Sequence, residues 1–316
     1  MCGAGGFIGG VLSRRLNEQG HKVIGADLKE HEYFVDVWEN FHLLDLADQS
    51  SFEKLFQKYE YFDEIYQLAA DMGGAGYIFT GENDFGIMTN SALINLNLLR
   101  MVSKLSGTKI FYSSSACMYP EHNQLDPENP ICSEESAYPA APDSEYGWEK
   151  LFSERLFLAA RKNMDLDVSI GRFHNIYGPY GAYDGGREKA PAALCRKAKT
   201  SSHTMEIWGP GTQTRSFLYI EDCLDAVQKL MESPFFGPVN IGSEEMVSIN
   251  ELAEICVNTA RRNLVIENVD GPVGVNGRCS DNKLIKSELG WEPKFSLKEG
   301  IEITYGWISS QLEGRQ

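Results

Sequence analysis

The chain has 316 residues, with 45 Asp and Glu against 29 Lys and Arg, a formal net charge of −16. That balance repels DNA, RNA and anionic membrane surfaces, so a phosphate-bearing ligand must be small and held by a local basic patch. Hydrophobic residues make up 42% and aromatics 11%, enough for a large core, and no run reaches the roughly 18 apolar residues of a membrane span.

The seven cysteines (Cys2, Cys117, Cys132, Cys195, Cys223, Cys256 and Cys279) are an odd number. They form no C-x-x-C pair and have no ligand-like spacing to a histidine. Neither disulfides nor a metal is expected, and reduced thiols fit a cytoplasmic location. The chain reaches glycine at its third residue, so no signal peptide is read before the first motif.

In chain order, Gly3–Gly20 reads as a glycine loop feeding a helix, and His21–Ala26 as a strand ending at Asp27. Phe41–Leu44 is a short strand ending at Asp45, Glu64–Leu68 a strand ending in Ala69 and Ala70, and Ser91–Leu105 a helix by apolar spacing. Lys109–Tyr112 is a strand running into the small residues Ser113–Cys117. Strands alternating with helices predict an α/β fold, a doubly wound parallel sheet of the Rossmann type, with ligands at the carboxyl ends of its strands. Residues 1–176 form this dinucleotide domain, and 217–261 return to it. Residues 177–216 and 262–316 form a smaller substrate-binding lobe, opened by the polar loop Tyr183–Glu188 and the basic helix Ala190–Lys199.

Gly3-Ala-Gly-Gly-Phe-Ile-Gly9 places glycines at 3, 6 and 9, ahead of a helix whose N-terminus can face a pyrophosphate; Phe7 and Ile8 lie in the same turn. Asp27 follows Gly9 by 18 residues, where a carboxylate accepts the ribose hydroxyls of NAD and repels the 2′-phosphate of NADP. Asp45, at the next strand end, joins this cofactor set. A strand belongs before Gly3, but only Met1 and Cys2 stand there, which suggests a truncated start.

Tyr146 and Lys150 are four residues apart in "SEYGWEKLFSERLF", so a helix puts them on one face. There the ammonium can lower the pKa of the phenol and make it a base. Ser115, at a strand end, can bond the same substrate hydroxyl. Such a trio takes a proton from a carbinol while hydride passes to a nicotinamide. Cys117, alone, would be read as a packed apolar side chain. His174 is read as a packed or structural histidine.

With these motifs in view, the chain resembles the extended short-chain dehydrogenase/reductase family of nucleotide-sugar enzymes. The resemblance covers almost the whole chain and rests on the glycine loop, Ser115, Tyr146 with Lys150, "RFHNIYGPYG", and Arg215-Ser-Phe with Tyr219-Ile-Glu-Asp222. The longer stretches "LAADMGGAGYI", "SSSACMYP", "GGREKAPAALCRKA", "GTQTRSF", "VNIGSEEMVSINE" and "SDNKLIKSELGWEP" resemble the branch that inverts two carbons of a GDP-hexose.

This resemblance implies NAD as cofactor, a nucleotide sugar as ligand and a homodimer built on two sheet-flanking helices. Dehydratases of the family carry an Asp-Glu pair after the catalytic Ser/Thr, and 4-epimerases often a threonine two residues past it; here Ala116 and Cys117 stand there. The resemblance makes Cys117 a carbon base and Lys189 the acid on the opposite face. It assigns Gly73, Ser115, Cys117, Asn175, Glu188, Lys189, Ala190, Lys197, Gln213, Arg215 and Arg278 to the sugar or its diphosphate. A 4-epimerase, a 4,6-dehydratase and a non-catalytic NAD-binding scaffold are the competing readings; the last would ordinarily have lost Tyr146 or Lys150.

Overall fold

The computed structural model describes residues 1–59, 61–105 and 107–314. Its main sheet is parallel throughout. The strands are β1 (Ile24–Asp27), β2 (Asn40–Leu43), β3 (Glu64–Gln67), β4 (Lys109–Ser115) and β5 (Asp167–Phe173). β2 pairs with β1, β3 with β4, β4 with β5, and Val239–Ile241 adds beyond β5.

Met1 and Cys2 join the two halves. Cys2 bridges Ala26 of β1 and Gln67 of β3 in parallel register, and the backbone N–H groups of Ala26 and Leu68 donate to the carbonyls of Met1 and Cys2. The two residues therefore occupy the central strand position that the spacing left empty.

Burial on both faces explains why β4 reads as a continuous apolar run rather than an alternating one. Ile110 and Tyr112 pack with Leu98, Phe157 and Ile170 on one face, and Phe111 packs with Leu12, Leu224 and Ile241 on the other. β4 extends three residues past its expected end because Ser113, Ser114 and Ser115 pair with Gly171, Arg172 and Phe173. β1 begins three residues late, at Ile24, and the helix expected at Ser91–Leu105 spans Asp84–Val102.

Of the segment 217–261, the Ile220–Glu232 helix and Val239–Ile241 lie on the sheet. Met246–Ser248 instead pairs with Thr214–Ser216, whose other neighbour is Gly277–Arg278, and the Ile249–Thr259 helix packs on Ala190–Thr200. That register sets Arg278 beside Arg215 and brings both to the edge where β4 ends.

Candidate active site

The glycine loop is tight enough that side chains are excluded. A Cβ on Gly9 would lie 2.1 Å from the Gly3 carbonyl oxygen, and one on Gly5 1.9 Å from that of Lys29. Gly3 itself takes φ +84°, open to glycine. The Phe7–Glu18 helix that follows has no side-chain cap and no acid in its first turn, so its N–H groups and positive dipole end are free for a pyrophosphate. Asp27 ends β1 and accepts from the Gly5 and Lys29 backbones at 3.0 and 3.3 Å. Burial raises its carboxyl pKa against these donors. This cradle fits a dinucleotide. Asp45 is exposed past β2, where it caps its own turn through Ala47 N–H at 2.8 Å.

Tyr146 and Lys150 lie on the Glu145–Met164 helix, whose first turn is capped by the Ser144 hydroxyl. Both side chains are buried, at 6% and 2% exposure. Lys150 Nζ donates to the Ser113 carbonyl at 3.2 Å and sits 5.7 Å from the Tyr146 ring centroid. Here the structure departs from the spacing argument. Burial, reinforced by Cys117 and opposed by Ser115, pushes the Tyr146 phenol well above its ordinary range. Lys150 itself is pulled below the usual ammonium range by burial, against the charges of Glu149 and Cys117.

Ser115 closes β4 and its hydroxyl accepts from the Cys117 N–H at 3.2 Å, winding Ala116–Met118 into a short turn. That turn is seated against Gly147, where a Cβ would be 2.2 Å from the Cys117 carbonyl oxygen. Arg278 Nη1 donates to Cys117 Sγ at 3.1 Å, Nε to Gln124 Oε1 at 2.5 Å, and Nη2 reaches Asp143 Oδ2 at 3.5 Å. Burial disfavours the Arg278 cation, but Cys117 and Asp143 more than compensate. Gln124 and Asp143 had no signal in the sequence: their roles arise only when distant segments meet at Arg278.

Lys189 stands at the N-cap position of the Ala190–Thr200 helix without a side-chain cap bond, within electrostatic range of Cys117. Burial lowers its ammonium pKa, with Cys117 the main charge opposing that. Glu188 turns away, its carboxylate accepting from Gly186 N–H at 2.7 Å and Arg196 Nη2 at 3.3 Å. The loop before Lys189 touches the Gly73–Gly74 loop: a Cβ on Gly74 would lie 2.3 Å from the Glu188 carbonyl oxygen. Arg187 lies 4.1 Å over the Tyr77 ring, 3.4 Å from the Met72 carbonyl and 3.9 Å from Asp71. The sulfur of Met72 in turn meets the Tyr146 hydroxyl at 4.0 Å.

Farther out, Lys197 Nζ donates to Glu206 O at 2.7 Å, and Asn175, at φ +43°, donates to Ser216 O at 2.9 Å. Gln213 is 8% exposed and donates to Trp208 O at 3.1 Å. Its Oε1 is buried without a partner among the described residues. Arg215 donates to the carbonyls of Thr214, Val273 and Val275, and burial together with Arg278 pushes its pKa down to about 10. Two guanidinium groups on neighbouring strands, one of them bonded only to backbone carbonyls, suit an anionic ligand. His174 is buried and pushed to about 3, its Nε2 paired with Asn240 Oδ1 at 2.9 Å.

The profile of the NAD dependent epimerase/dehydratase family matches residues 1–242. The chain belongs to that family. Within this NAD-dependent epimerase/dehydratase family, it is 48% identical over 316 residues to the GDP-mannose 3,5-epimerase of Arabidopsis thaliana, covering 99% of this chain and 82% of the relative. It is 30% identical to UDP-glucuronic acid decarboxylase 5 of the same plant, covering 96% and 86%. Among solved structures, the UDP-glucose 4-epimerase of Thermotoga maritima superposes with a TM-score of 0.86 at 24% identity, over 98% of both chains. Pal from Bacillus thuringiensis gives 0.85 at 27% identity, also over 98% of both. NAD is the cofactor of the family. No described helix is long and apolar enough to cross a membrane.

Proposed function

We propose that this protein is an NAD-dependent GDP-mannose 3,5-epimerase, forming GDP-L-galactose and GDP-L-gulose. The observation that carries the reading is the short turn that sets Cys117 two residues past Ser115, where Arg278 Nη1 donates to its sulfur at 3.1 Å; the electrostatic influence of Cys117 on Lys189 is in keeping with it.

Gly3, Gly6, Phe7, Ile8, Gly9, Asp27 and Asp45 with Tyr146 and Lys150 would hold NAD, which when bound would supply a reversible hydride acceptor for C4 of the hexose. Tyr146 takes the C4 hydroxyl proton while Ser115 hydrogen-bonds the same oxygen. Lys150 stabilises the charge that develops on Tyr146. With C4 a ketone, the C3 and C5 hydrogens lie α to a carbonyl and become acidic. The Cys117 sulfur removes a proton from one face, the C4 oxygen carries the enolate charge, and Lys189 delivers a proton to the other face. Cys117 then gives up to solvent the proton it took, Lys189 regains one from solvent, and Tyr146 returns its own to the C4 oxygen, so nothing is consumed. Loss of water is disfavoured because Ala116 stands where a dehydratase has an acid.

Gly73, Asn175, Ala190, Lys197, Gln213, Arg215 and Arg278, with the backbone of Glu188, line the path of the sugar and its diphosphate in this reading. The Asp84–Val102 and Glu145–Met164 helices pack side by side and expose Phe85, Leu93, Trp148 and Phe152, an apolar face that suits a homodimer. Seven free cysteines suit the reducing cytoplasm.

Incubation with GDP-mannose in heavy water tests the whole reading. Deuterium at both C3 and C5, with inversion, supports it. Inversion at C4 without exchange at C5 replaces it with a 4-epimerase.

A further inference from the structure

In the proposed reaction Lys189 delivers a proton to one face of the sugar, so the Tyr183–Glu188 loop that leads into it must hold a fixed course. Its own backbone supplies little stiffness. Gly185 and Gly186 both take positive φ with open space around them, a conformation glycine adopts freely. On the side of the dinucleotide domain the Glu188 carbonyl presses on Gly74, and Arg187 rests on the Tyr77 ring at 4.1 Å. On the other side stands Arg196.

Arg196 follows Lys189 by seven residues on the Ala190–Thr200 helix, two turns on and therefore on the same face. Helical side chains lean toward the N-terminus, which aims the guanidinium back at the loop. Its Nε donates to the Tyr183 carbonyl at 2.7 Å and its Nη2 to Glu188 Oε1 at 3.3 Å, and Asp184 Oδ1 lies 3.7 Å from Nε. The other carboxylate oxygen of Glu188 accepts from the Gly186 N–H at 2.7 Å. One side chain thus joins the start of the loop, its end and, through Glu188, the glycine between. The Glu188 and Arg196 side chains are 12% and 23% exposed, and a charge-assisted bond in that setting fixes geometry as well as adding energy. Lys189 is the residue after Glu188, so this clasp sets where the lysine stands.

We propose that Arg196 is a positioning residue for Lys189: by holding the Tyr183 carbonyl and the Glu188 carboxylate together it fixes the loop so that the lysine ammonium meets the sugar face opposite Cys117. The proposal rests on the reading of Cys117 and Lys189 given above.

Its test incubates the holoenzyme with GDP-mannose in heavy water and follows three quantities: bound NADH for C4 oxidation, deuterium at C5 for proton removal, and inversion at C5 for proton delivery. Arg196→Met keeps the bulk of the side chain without its donors. NADH formation and deuterium entry should stay within about twofold of wild type while the ratio of inversion to exchange falls about 10-fold, since a misplacement near 1 Å can cost about 10²-fold. Arg196→Lys keeps a cation for Glu188 but lacks the fork that holds two partners, and should give an intermediate ratio. Glu188→Gln opens the same clasp from its other end, so its effect on the ratio and that of Arg196→Met should not add in the double variant. If Arg196→Met does not fold, the ratio for Arg196→Lys decides. A role in packing alone would lower oxidation, exchange and inversion together; that result, an unchanged ratio, or additive losses overturns the proposal. Wild-type enzyme without exchange at C5 fails the reading of the site and this proposal with it, before any variant is compared.

Discussion

Arg278 Nη1 lies 3.1 Å from Cys117 Sγ, joining residues 161 positions apart in the chain. The same guanidinium is anchored by Gln124 and faces Asp143, so it holds the sulfur's orientation as well as offering it charge. Arg278→Lys keeps a cation but cannot reach all three partners. Deuterium exchange at C5 should fall by about 10-fold or more, while the C4 oxidation, followed as bound NADH, continues. Equal losses in both steps would reassign Arg278 to substrate binding alone.

Gly147 predicts a geometric effect. The Cys117 turn seats directly on its Cα, and a methyl group there would sit 2.2 Å from a backbone oxygen. Gly147→Ala must therefore push the turn away from the helix that carries Tyr146 and Lys150. Helix propensity alone would make this substitution stabilising by about 1 kcal/mol. The expected outcome is lost turnover, about 10²-fold for a misplacement near 1 Å, without a gain in thermal stability.

What could be read in advance was local. The glycine spacing and the i, i+4 pair of Tyr146 and Lys150 are set within one loop or one helical turn, so their geometry follows from sequence. The run Lys109–Tyr112 marks a strand leading into small residues, and pairing with β5 carries it on through Ser113, Ser114 and Ser115 against serine's weak strand preference. Lys150 was expected to lower the Tyr146 pKa, yet burial dominates. Burial is a property of the packed protein that no spacing reveals. Arg278 with Cys117, and Arg187 with Tyr77, depend on how segments far apart in the chain meet.

Arg187 closes the cleft by resting on Tyr77 and reaching Met72 O and Asp71. Gly185 and Gly186, both at positive φ with open space around them, leave that loop little intrinsic stiffness. Arg187→Ala should let the 4-keto sugar escape before reduction. The measurement is the fraction of enzyme left with NADH after turnover, which should rise in the variant as kcat declines. Unchanged NADH accumulation would make the contact incidental.

Stability should also depend on acid. His174 is held neutral by burial, with a pKa of about 3 against about 6.5 when unfolded. Below about pH 6.5 the unfolded chain binds a proton the folded one refuses, so stability falls as pH drops. At about pH 5 the loss is on the order of 2 kcal/mol. Urea unfolding should show this slope, and His174→Gln should flatten it.

The sharpest division is between Cys117 and Lys189. Cys117→Ser changes one atom of similar size but replaces a thiol with an alcohol, an intrinsically far weaker acid. Ser115, Tyr146 and Lys150 are untouched, so the variant should still bind NAD and oxidise C4, whereas deuterium entry at C5 should fall by about 10²-fold or more, as when a positioned base is lost. Lys189→Ala leaves the base in place and removes the proton donor on the far side. Abstraction then continues, but the proton returns to the face it left, giving exchange without inversion. If Cys117→Ser exchanges and inverts at the wild-type rate, the thiol is not the base. Its bond to Arg278 then serves to pack the turn, and a 4-epimerase becomes the better account of the site.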